Sequence, residues 1–321
     1  RYVDNRYISR GTYIMDDVVL RINKVLKKYK NINVLNNISM TIKKGQLYGL
    51  IGLNGAGKST LIKVIGGLSS IDSGSIELFG EYEKSKIEDS RRRIGVVVEA
   101  PGLYDNKTVY ENMHINRIQK GIPGEECIKQ VLNTVGLFEL KDKRVKNLSL
   151  GSKQRLGIAM ALLGEPEFLI LDEPINGLDP FRIVELRELL KRLNRKYGIT
   201  MLVSSHILGE LYHIADNYGI IHKGQLLEEI TIDELNDICK KFVHIKVDDT
   251  SKASVIIRKK LNTSNFNVLP NNIINLYDCI DETGKVTDIL VREGITVDQI
   301  MPMGEDLEAY FTKVIGGIGI V

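Results

Sequence analysis

The chain carries a glycine-rich stretch that reads Gly52-Leu53-Asn54-Gly55-Ala56-Gly57-Lys58-Ser59-Thr60. It fits the pattern G-x-x-x-x-G-K-[ST], whose glycines let backbone N–H groups surround a triphosphate closely, so we predict that residues 54–60 bind nucleotide. We expect the Lys58 ammonium to contact the β- and γ-phosphates and the Ser59 hydroxyl to bind Mg²⁺. The apolar run over 46–51 predicts a buried strand before the loop, and a helix from Lys58 to about Leu68 would point its positive end at the phosphates. A chance Gly-rich turn is disfavoured because strand, loop and helix occur in the required order.

Two carboxylates directly follow four apolar residues in the stretch Phe168-Leu169-Ile170-Leu171-Asp172-Glu173. The apolar run predicts a parallel strand buried on both faces. Asp172 would then lie at the C-terminal end of that strand, where open α/β sheets bind ligands, and would hold Mg²⁺ through water. Glu173 is the candidate general base toward the attacking water. The alternative is an ordinary acidic turn, which Pro174 would suit, but the phosphate loop in the same chain favours a hydrolytic site.

Three further motifs flank this strand: Leu148-Ser149-Leu150-Gly151-Ser152-Lys153-Gln154-Arg155 before it, and Asn176-Gly177-Leu178-Asp179 and Ser204-Ser205-His206 after it. With these motifs in this order over about residues 18–230, the chain resembles the nucleotide-binding subunits of ATP-binding cassette (ABC) proteins. The resemblance implies an α/β fold, a P-loop NTPase cassette with a RecA-like core, an antiparallel β portion and a helical subdomain. It also implies binding of ATP and Mg²⁺ and hydrolysis of ATP.

The resemblance assigns roles to five further residues. Tyr29 looks like the aromatic side chain that stacks on adenine, although a solvated tyrosine in a lysine-rich run is the alternative. Ser149 and Gly151 resemble the signature residues that touch the γ-phosphate bound to the opposite subunit, and Ser149 also suits the N-cap of the following helix. Asp179 resembles the residue that communicates across the dimer. His206 resembles the catalytic switch histidine on the γ-phosphate.

The chain departs from the common family pattern at two places. The signature reads Leu-Ser-Leu-Gly-Ser rather than Leu-Ser-Gly-Gly-Gln, so Leu150 stands where glycine is usual. Glu99 stands where the family usually has glutamine, and we expect its carboxylate to reach Mg²⁺ or the water around it. Both patterns resemble the branch that exports bacitracin and lantibiotic-type peptides in bacteria.

Composition is that of a folded chain with a sizeable core. Its 321 residues allow two domains, with 43% hydrophobic and 26% charged residues. Apolar stretches stay well below the ~20 residues that a membrane-spanning helix needs, and a net charge of +3 is too small to predict nucleic-acid binding. The three cysteines are widely spaced and read as free thiols in a reducing cytoplasm.

The order of the motifs and of the predicted helices and strands divides the chain into three parts. Residues 1–14 are interpreted as an N-terminal extension, either added to the native chain or read from upstream of Met15, and are excluded from the fold. Residues 15–235 form the predicted cassette, with its helical subdomain at about 89–165. After a capping box at Thr231, residues 240–321 read β-α-β-β-α-β-α, which predicts a smaller α+β domain of the ferredoxin-like type plus one helix.

The resulting hypothesis is an ATP-hydrolysing subunit that powers a separate membrane-spanning permease, exporting a peptide antibiotic or a similar amphipathic compound. It would pair head to tail with a second copy of itself or a paralogous subunit, in the cytoplasm at the inner face of the membrane. The alternative is a soluble cassette protein acting on ribosomes or nucleic acid, but such relatives usually join two cassettes or carry a long coiled coil. A non-hydrolysing nucleotide sensor is disfavoured by the Asp172–Glu173 pair.

Overall fold

The computed structural model describes residues 17–304 and 306–316. The predicted extension, 1–14, and the start of the cassette at Met15 therefore lie outside the described residues. The chain divides into two compact units, and the division falls between Leu226 and Leu227. Among the described residues, no helix combines the length and the apolar character needed to cross a bilayer.

The first unit contains both strands and helices. In chain order its elements are β1 (Val18–Tyr29), β2 (Ile32–Lys43), β3 (Leu47–Ile51), α1 (Lys58–Ile65), β4 (Ser73–Leu78), α2 (Lys84–Arg91), β5 (Ile94–Val97), α3 (Val109–Gln119), α4 (Glu126–Thr134), α5 (Leu150–Leu162), β6 (Phe168–Leu171), α6 (Pro180–Tyr197), β7 (Thr200–Ser205), α7 (Leu208–Tyr212), β8 (Asn217–His222) and β9 (Gln225–Thr231), the last of which crosses the division. Two short 3₁₀ helices, Phe138–Leu140 and Val145–Asn147, lie between α4 and α5.

The six-stranded sheet has the order β5-β6-β7-β3-β8-β9, with parallel pairing from β5 through to β8. Every residue of β3 and β6 is buried, which confirms that both apolar runs form central strands. Parallel strands end at one edge, so the phosphate loop, Asp172 and the end of β7 meet there. The register places Ile51 beside Ser205 and Leu171 beside Val203.

A second, antiparallel sheet has the order β2-β1-β4, which confirms the predicted antiparallel portion. Its inner side chains join the core of the parallel sheet, as the packing of Leu20 and Ile38 in one cluster with Leu50 and Ile170 shows. As a result, the end of β1, where Tyr29 lies, is close to the segment just beyond α1. The Tyr29 hydroxyl lies 3.3 Å from Ser69 Oγ in that segment.

Two predicted boundaries need correction. The helical subdomain was predicted at about 89–165, but β5 within that range pairs with β6 and belongs to the sheet, so the helices there run from Val109 to Leu162. The helix after the phosphate loop was predicted to reach about Leu68, but it ends at Ile65. Two glycines follow, and Gly67 adopts a φ of 76°, which interrupts helical geometry.

The second unit follows with α8 (Ile232–Ile238), β10 (Phe242–Val247), α9 (Thr250–Lys260), β11 (Phe266–Leu269), β12 (Ile273–Leu276), α10 (Thr283–Arg292), β13 (Val297–Met303) and α11 (Leu307–Gly316). The capping box predicted at Thr231 is confirmed at the start of α8. The four strands pair antiparallel in the order β11-β12-β10-β13. Alternate residues of β10 are fully buried with Ile257 of α9 and Leu290 of α10, forming a separate core.

Candidate functional site

The predicted phosphate loop connects β3 to α1, as the sequence indicated. Gly52 is required sterically, because a Cβ atom added there would lie 2.4 Å from the carbonyl oxygen of Ile221. Gly57 caps α1 with a φ of 112°, a conformation that side chains rarely permit. The loop borders a cavity of about 200 Å³; its lining residues are Val34, Asn54, Gly55, Ala56, Gly57, Lys58, Ser59, Thr60 and Glu173.

Lys58 is buried at this loop, with 5% of its surface exposed. Its ammonium donates to the carbonyl oxygens of Gly52, at 2.5 Å, and Leu53, at 3.3 Å. It also forms an ion pair with Glu173 Oε1 at 3.1 Å. The cation predicted to bind phosphates is therefore held inside the loop by main-chain acceptors and one carboxylate.

Ser204, near the end of β7, bonds both acidic residues that follow β6, one through its carboxylate and the other through its backbone. Its hydroxyl donates to Asp172 Oδ1 at 2.7 Å and accepts from the backbone N–H of Glu173 at 2.9 Å. Glu173 has a φ of 49°, which a non-glycine residue rarely adopts. The sequence located the Ser-Ser-His run but gave Ser204 no role, because the pairing of β6 with β7 is not visible in the sequence.

His206 completes this group. Its Nδ1 lies 2.9 Å from Glu173 Oε2, while the other carboxylate oxygen of Glu173 faces Lys58. Three residues predicted from separate motifs therefore meet, with the Glu173 carboxylate between two groups that can carry positive charge. A carboxylate in this position can accept a proton from water, which is the chemistry predicted for Glu173.

A second cavity, of about 300 Å³, adjoins the loop; its lining residues are Ser59, Glu99, Ala100, Gln154, Asp172, Glu173 and Asn176. Asp172 is 1% exposed, and its Oδ2 atom has no hydrogen-bond partner among the described residues. A buried, unpaired carboxylate oxygen in a cavity that Ser59 also lines fits Mg²⁺, which prefers oxygen ligands and is commonly held by one or two carboxylates. Gln154 is buried beside these groups, a placement that the sequence did not predict.

Glu99 lines this second cavity but pairs elsewhere. Its Oε1 atom lies 2.8 Å from the Lys63 ammonium on α1. This hydrogen bond holds the pKa of the Glu99 carboxyl below its usual value and raises the pKa of Lys63. The sequence did not indicate Lys63, since the pair joins residues distant in the chain.

Tyr29 ends β1 with about half of its surface exposed. Its hydroxyl lies 3.3 Å from Ser69 Oγ, and the Lys27 ammonium lies 5.2 Å from its ring centroid. The exposed part of this ring is where a base could stack, as the sequence predicted for Tyr29.

The remaining predicted residues lie at two helix N-termini. Ser149 caps α5 and accepts from the backbone N–H of Ser152, which confirms the predicted N-cap. Asp179 caps α6 and accepts from the Arg182 N–H at 3.0 Å. Gly151 faces the side chain of Arg182 on α6, since a Cβ atom there would lie 3.4 Å from Arg182 Cδ, an ordinary contact distance. Neither Ser149 nor Asp179 is among the lining residues of the two cavities.

Comparison with known proteins places these features in context. The family described as ABC transporter matches residues 35–176. The bacitracin transport ATP-binding protein BcrA of Bacillus licheniformis is 42% identical over 93% of this chain and 98% of its own length. The lantibiotic transport ATP-binding protein SrtF of Streptococcus pyogenes is 45% identical over 67% of this chain and 92% of its own length.

Two solved structures are also similar to this chain. The chain is similar to cbiO1 of Clostridium perfringens, part of the transporter complex cbiONQ, with a TM-score of 0.63 and 30% identity over 69% of this chain and 91% of that one. It is also similar to the cassette MJ0796 in a dimeric post-hydrolysis state with ADP and Pi, with a TM-score of 0.60 and 25% identity over 66% of this chain and 98% of that one.

Proposed function

This chain belongs to the ATP-binding subunits of ABC transporters, and from that premise we propose that it hydrolyses ATP to power a membrane-spanning partner. The observation that best supports this function is the position of the Glu173 carboxylate. It lies between Lys58 and His206, at the edge of the sheet where the parallel strands have their C-terminal ends. Glu173 is the base that takes a proton from the attacking water. Lys58 binds the β- and γ-phosphates, and His206 contacts the γ-phosphate. Ser204 keeps Asp172 and Glu173 in place through its two hydrogen bonds.

The proposed reaction includes Mg²⁺, which would neutralise negative charge on the phosphates of ATP. Ser59 and Asp172 are its proposed holders, supported by the unpaired Oδ2 of Asp172. Glu99 lines the same cavity and is proposed to act on the ion's water shell. The adenine base is proposed to stack on Tyr29.

Dimerisation gives Ser149, Gly151 and Asp179 their proposed roles. They lie at the N-termini of α5 and α6, and such termini favour contact with an anion. We propose that they approach ATP held by the phosphate loop of a second copy or of a paralogous subunit. The dimeric state of MJ0796 supports this arrangement.

The proposed cargo is a peptide antibiotic or a similar amphipathic compound, moved outward by a permease. The support is the likeness, over nearly the whole chain, to a bacitracin transport protein, and the likeness to a lantibiotic transport protein. The subunit would then work at the inner face of the cell membrane, without nucleic acid. The alternative of a soluble factor acting on ribosomes finds no support among these relatives.

The second unit is proposed to be an accessory domain of the ferredoxin-like type, within 240–321, following a cassette at 15–235. Its support is the element order β-α-β-β-α-β and the antiparallel strand order β11-β12-β10-β13. β9 crosses the division at Leu226 and still belongs to the six-stranded sheet, which supports a cassette that ends beyond it.

Two measurements test the proposal. The purified chain should hydrolyse ATP only with Mg²⁺, and the Lys58→Ala variant should not. Cells that make this chain together with the membrane protein of a neighbouring gene should survive more bacitracin or lantibiotic than cells making the Glu173→Gln variant. Equal sensitivity of both strains would reject the peptide cargo, whereas an absence of ATP turnover would reject the hydrolase itself.

A further inference from the structure

A cavity larger than the two at the nucleotide site lies at the other edge of the parallel sheet. Its volume is about 560 Å³, and small-molecule sites typically span roughly 300–1,000 Å³. Glu167 and Thr200, which line it, stand at the starts of β6 and β7, whereas Asp172 and His206 follow the ends of these strands. We call it the rear cavity, because the whole length of the sheet separates it from the ATP site.

The buried part of the lining is mainly apolar. Its apolar side chains come from β1, α5, α6 and the segments that precede β6 and β7: Val19, Leu162, Pro166, Leu193 and Ile199. Val131 of α4 adds a half-buried side chain. The buried hydroxyl of Thr200 already accepts a hydrogen bond from the Gly45 N–H at 3.0 Å. An alkyl or aromatic group placed here would therefore leave water without displacing a polar partner.

The exposed part of the lining carries three charged side chains, Lys44, Glu165 and Glu167. Glu167 pairs with Arg93 at 2.7 Å, and the hydrogen bond from Arg93, with the charges of Arg93 and Lys44, holds the pKa of the Glu167 carboxyl below its usual value. The Glu165 carboxylate has no ion pair or hydrogen bond within the described part of the chain. The rim therefore keeps one uncompensated negative charge, at Glu165.

We propose that the rear cavity binds a small amphipathic cation, with its apolar body against the buried lining and its ammonium group beside Glu165. Charge complementarity selects this occupant, since the carboxylate at the rim favours a positive head group over a neutral or negative one. Such a ligand would contact α4 and the starts of β6 and β7 together. It would bind independently of the proposed ATP hydrolysis, because the two sites lie at opposite edges of the sheet.

Isothermal titration calorimetry on the full chain tests the site with three probes that share one tail. These probes are octylammonium, octanol and octyl sulfate, each kept below the concentration at which it self-associates. Octylammonium should bind most tightly and octyl sulfate most weakly. Shortening the tail to hexylammonium should weaken binding about tenfold, because two buried methylene groups are lost.

The variant Glu165→Gln tests the contact with the head group. Because Glu165 is exposed and water screens its charge, this change should weaken octylammonium binding by about threefold and leave octanol binding unchanged. High salt should remove the same advantage of octylammonium over octanol in the wild type. The matched control is Glu308→Gln, which neutralises an exposed glutamate of α11 in the second unit and should change neither affinity.

The variant Val131→Trp tests the apolar part of the cavity. The chain contains no tryptophan, so the new ring also reports its own surroundings by fluorescence. A ring that fills the cavity should emit at a shorter wavelength than an exposed one, and octylammonium binding should be lost. Wild-type binding of octylammonium beside a buried ring would overturn the site.

Three further results would also contradict the proposal. Octanol or octyl sulfate binding as tightly as octylammonium would reject a cationic ligand. An unchanged affinity of Glu165→Gln for octylammonium would remove the contact with the head group. Displacement of octylammonium by ATP would place the amine at the nucleotide site instead. A chain that binds octylammonium as expected but does not hydrolyse ATP would reject the proposed function and leave the rear cavity as a ligand site.

Discussion

Replacing Glu173 with glutamine should have two separable effects, one on ATP turnover and one on nucleotide binding. Without a base near the attacking water, turnover should fall by about 10²-fold or more. The same change should also strengthen nucleotide binding, because Glu173 occupies the Lys58 ammonium that the phosphates need. Glutamine keeps the size of the side chain and a carbonyl acceptor, so the fold should be retained.

The size of the binding effect follows from the Lys58–Glu173 distance. At 3.1 Å two opposite charges attract by roughly 5 kcal/mol at an effective dielectric of about 20. Desolvation offsets much of this attraction, and the glutamine carbonyl can still accept from Lys58. We therefore expect a net change of about 1.4 kcal/mol, which is about tenfold tighter ATP binding by the monomer.

Two assays on one preparation decide the matter. Phosphate release gives the turnover number, and titration of a fluorescent ATP analogue into monomeric protein gives the affinity. The matched control is Glu167→Gln, because Glu167 precedes β6 as Glu173 follows it and is likewise ion-paired, with Arg93 at 2.7 Å. Near-normal turnover in Glu173→Gln would refute its role as base. If the Glu173→Gln variant bound ATP no more tightly than the wild type, the idea that Glu173 and the phosphates compete for Lys58 would be refuted, whatever the turnover number.

Three other substitutions test separate parts of the structure. Lys58→Ala should abolish ATP binding or turnover, as measured by the same titration and phosphate release; wild-type turnover would refute the phosphate site. Glu99→Gln should require more Mg²⁺ for half-maximal ATP hydrolysis and for nucleotide binding, since one negative charge near the proposed ion is lost; superimposable Mg²⁺ curves would reject the metal role and leave Glu99 as a partner of Lys63. Leu290→Ala should destabilise the second unit by about 2–5 kcal/mol, because a fully buried side chain is truncated; a loss well below this range in urea unfolding would contradict the described core.

The sequence predicted the elements of the nucleotide site closely because each has a strong local signal. The strand over 168–171 was predicted to the residue. The phosphate loop and Ser149 N-cap were likewise predictable, since glycine conformation and capping act within a few residues.

What the sequence did not predict depends on contacts between distant segments. Ser204 can bond Asp172 and Glu173 only because β7 lies beside β6. Neither the Asp-Glu motif nor the Ser-Ser-His motif indicates that these two strands are neighbours. The Lys63–Glu99 pair likewise needs the positions of α1 and of the loop after β5. Such contacts follow from register and packing, whereas the motifs report local chemistry.

The position of β7 also constrains how the chain assembles during synthesis. β7 lies between β3 and β6, although both of those strands are made before it. A growing chain that ends before residue 200 therefore has the phosphate-loop strand and the Asp172 strand without the strand that joins them. Both then expose unpaired edges, which are prone to pair with other chains. The nascent first unit is thus expected to need shielding until the segment that contains β7 emerges, and the ATP site to form late and all at once.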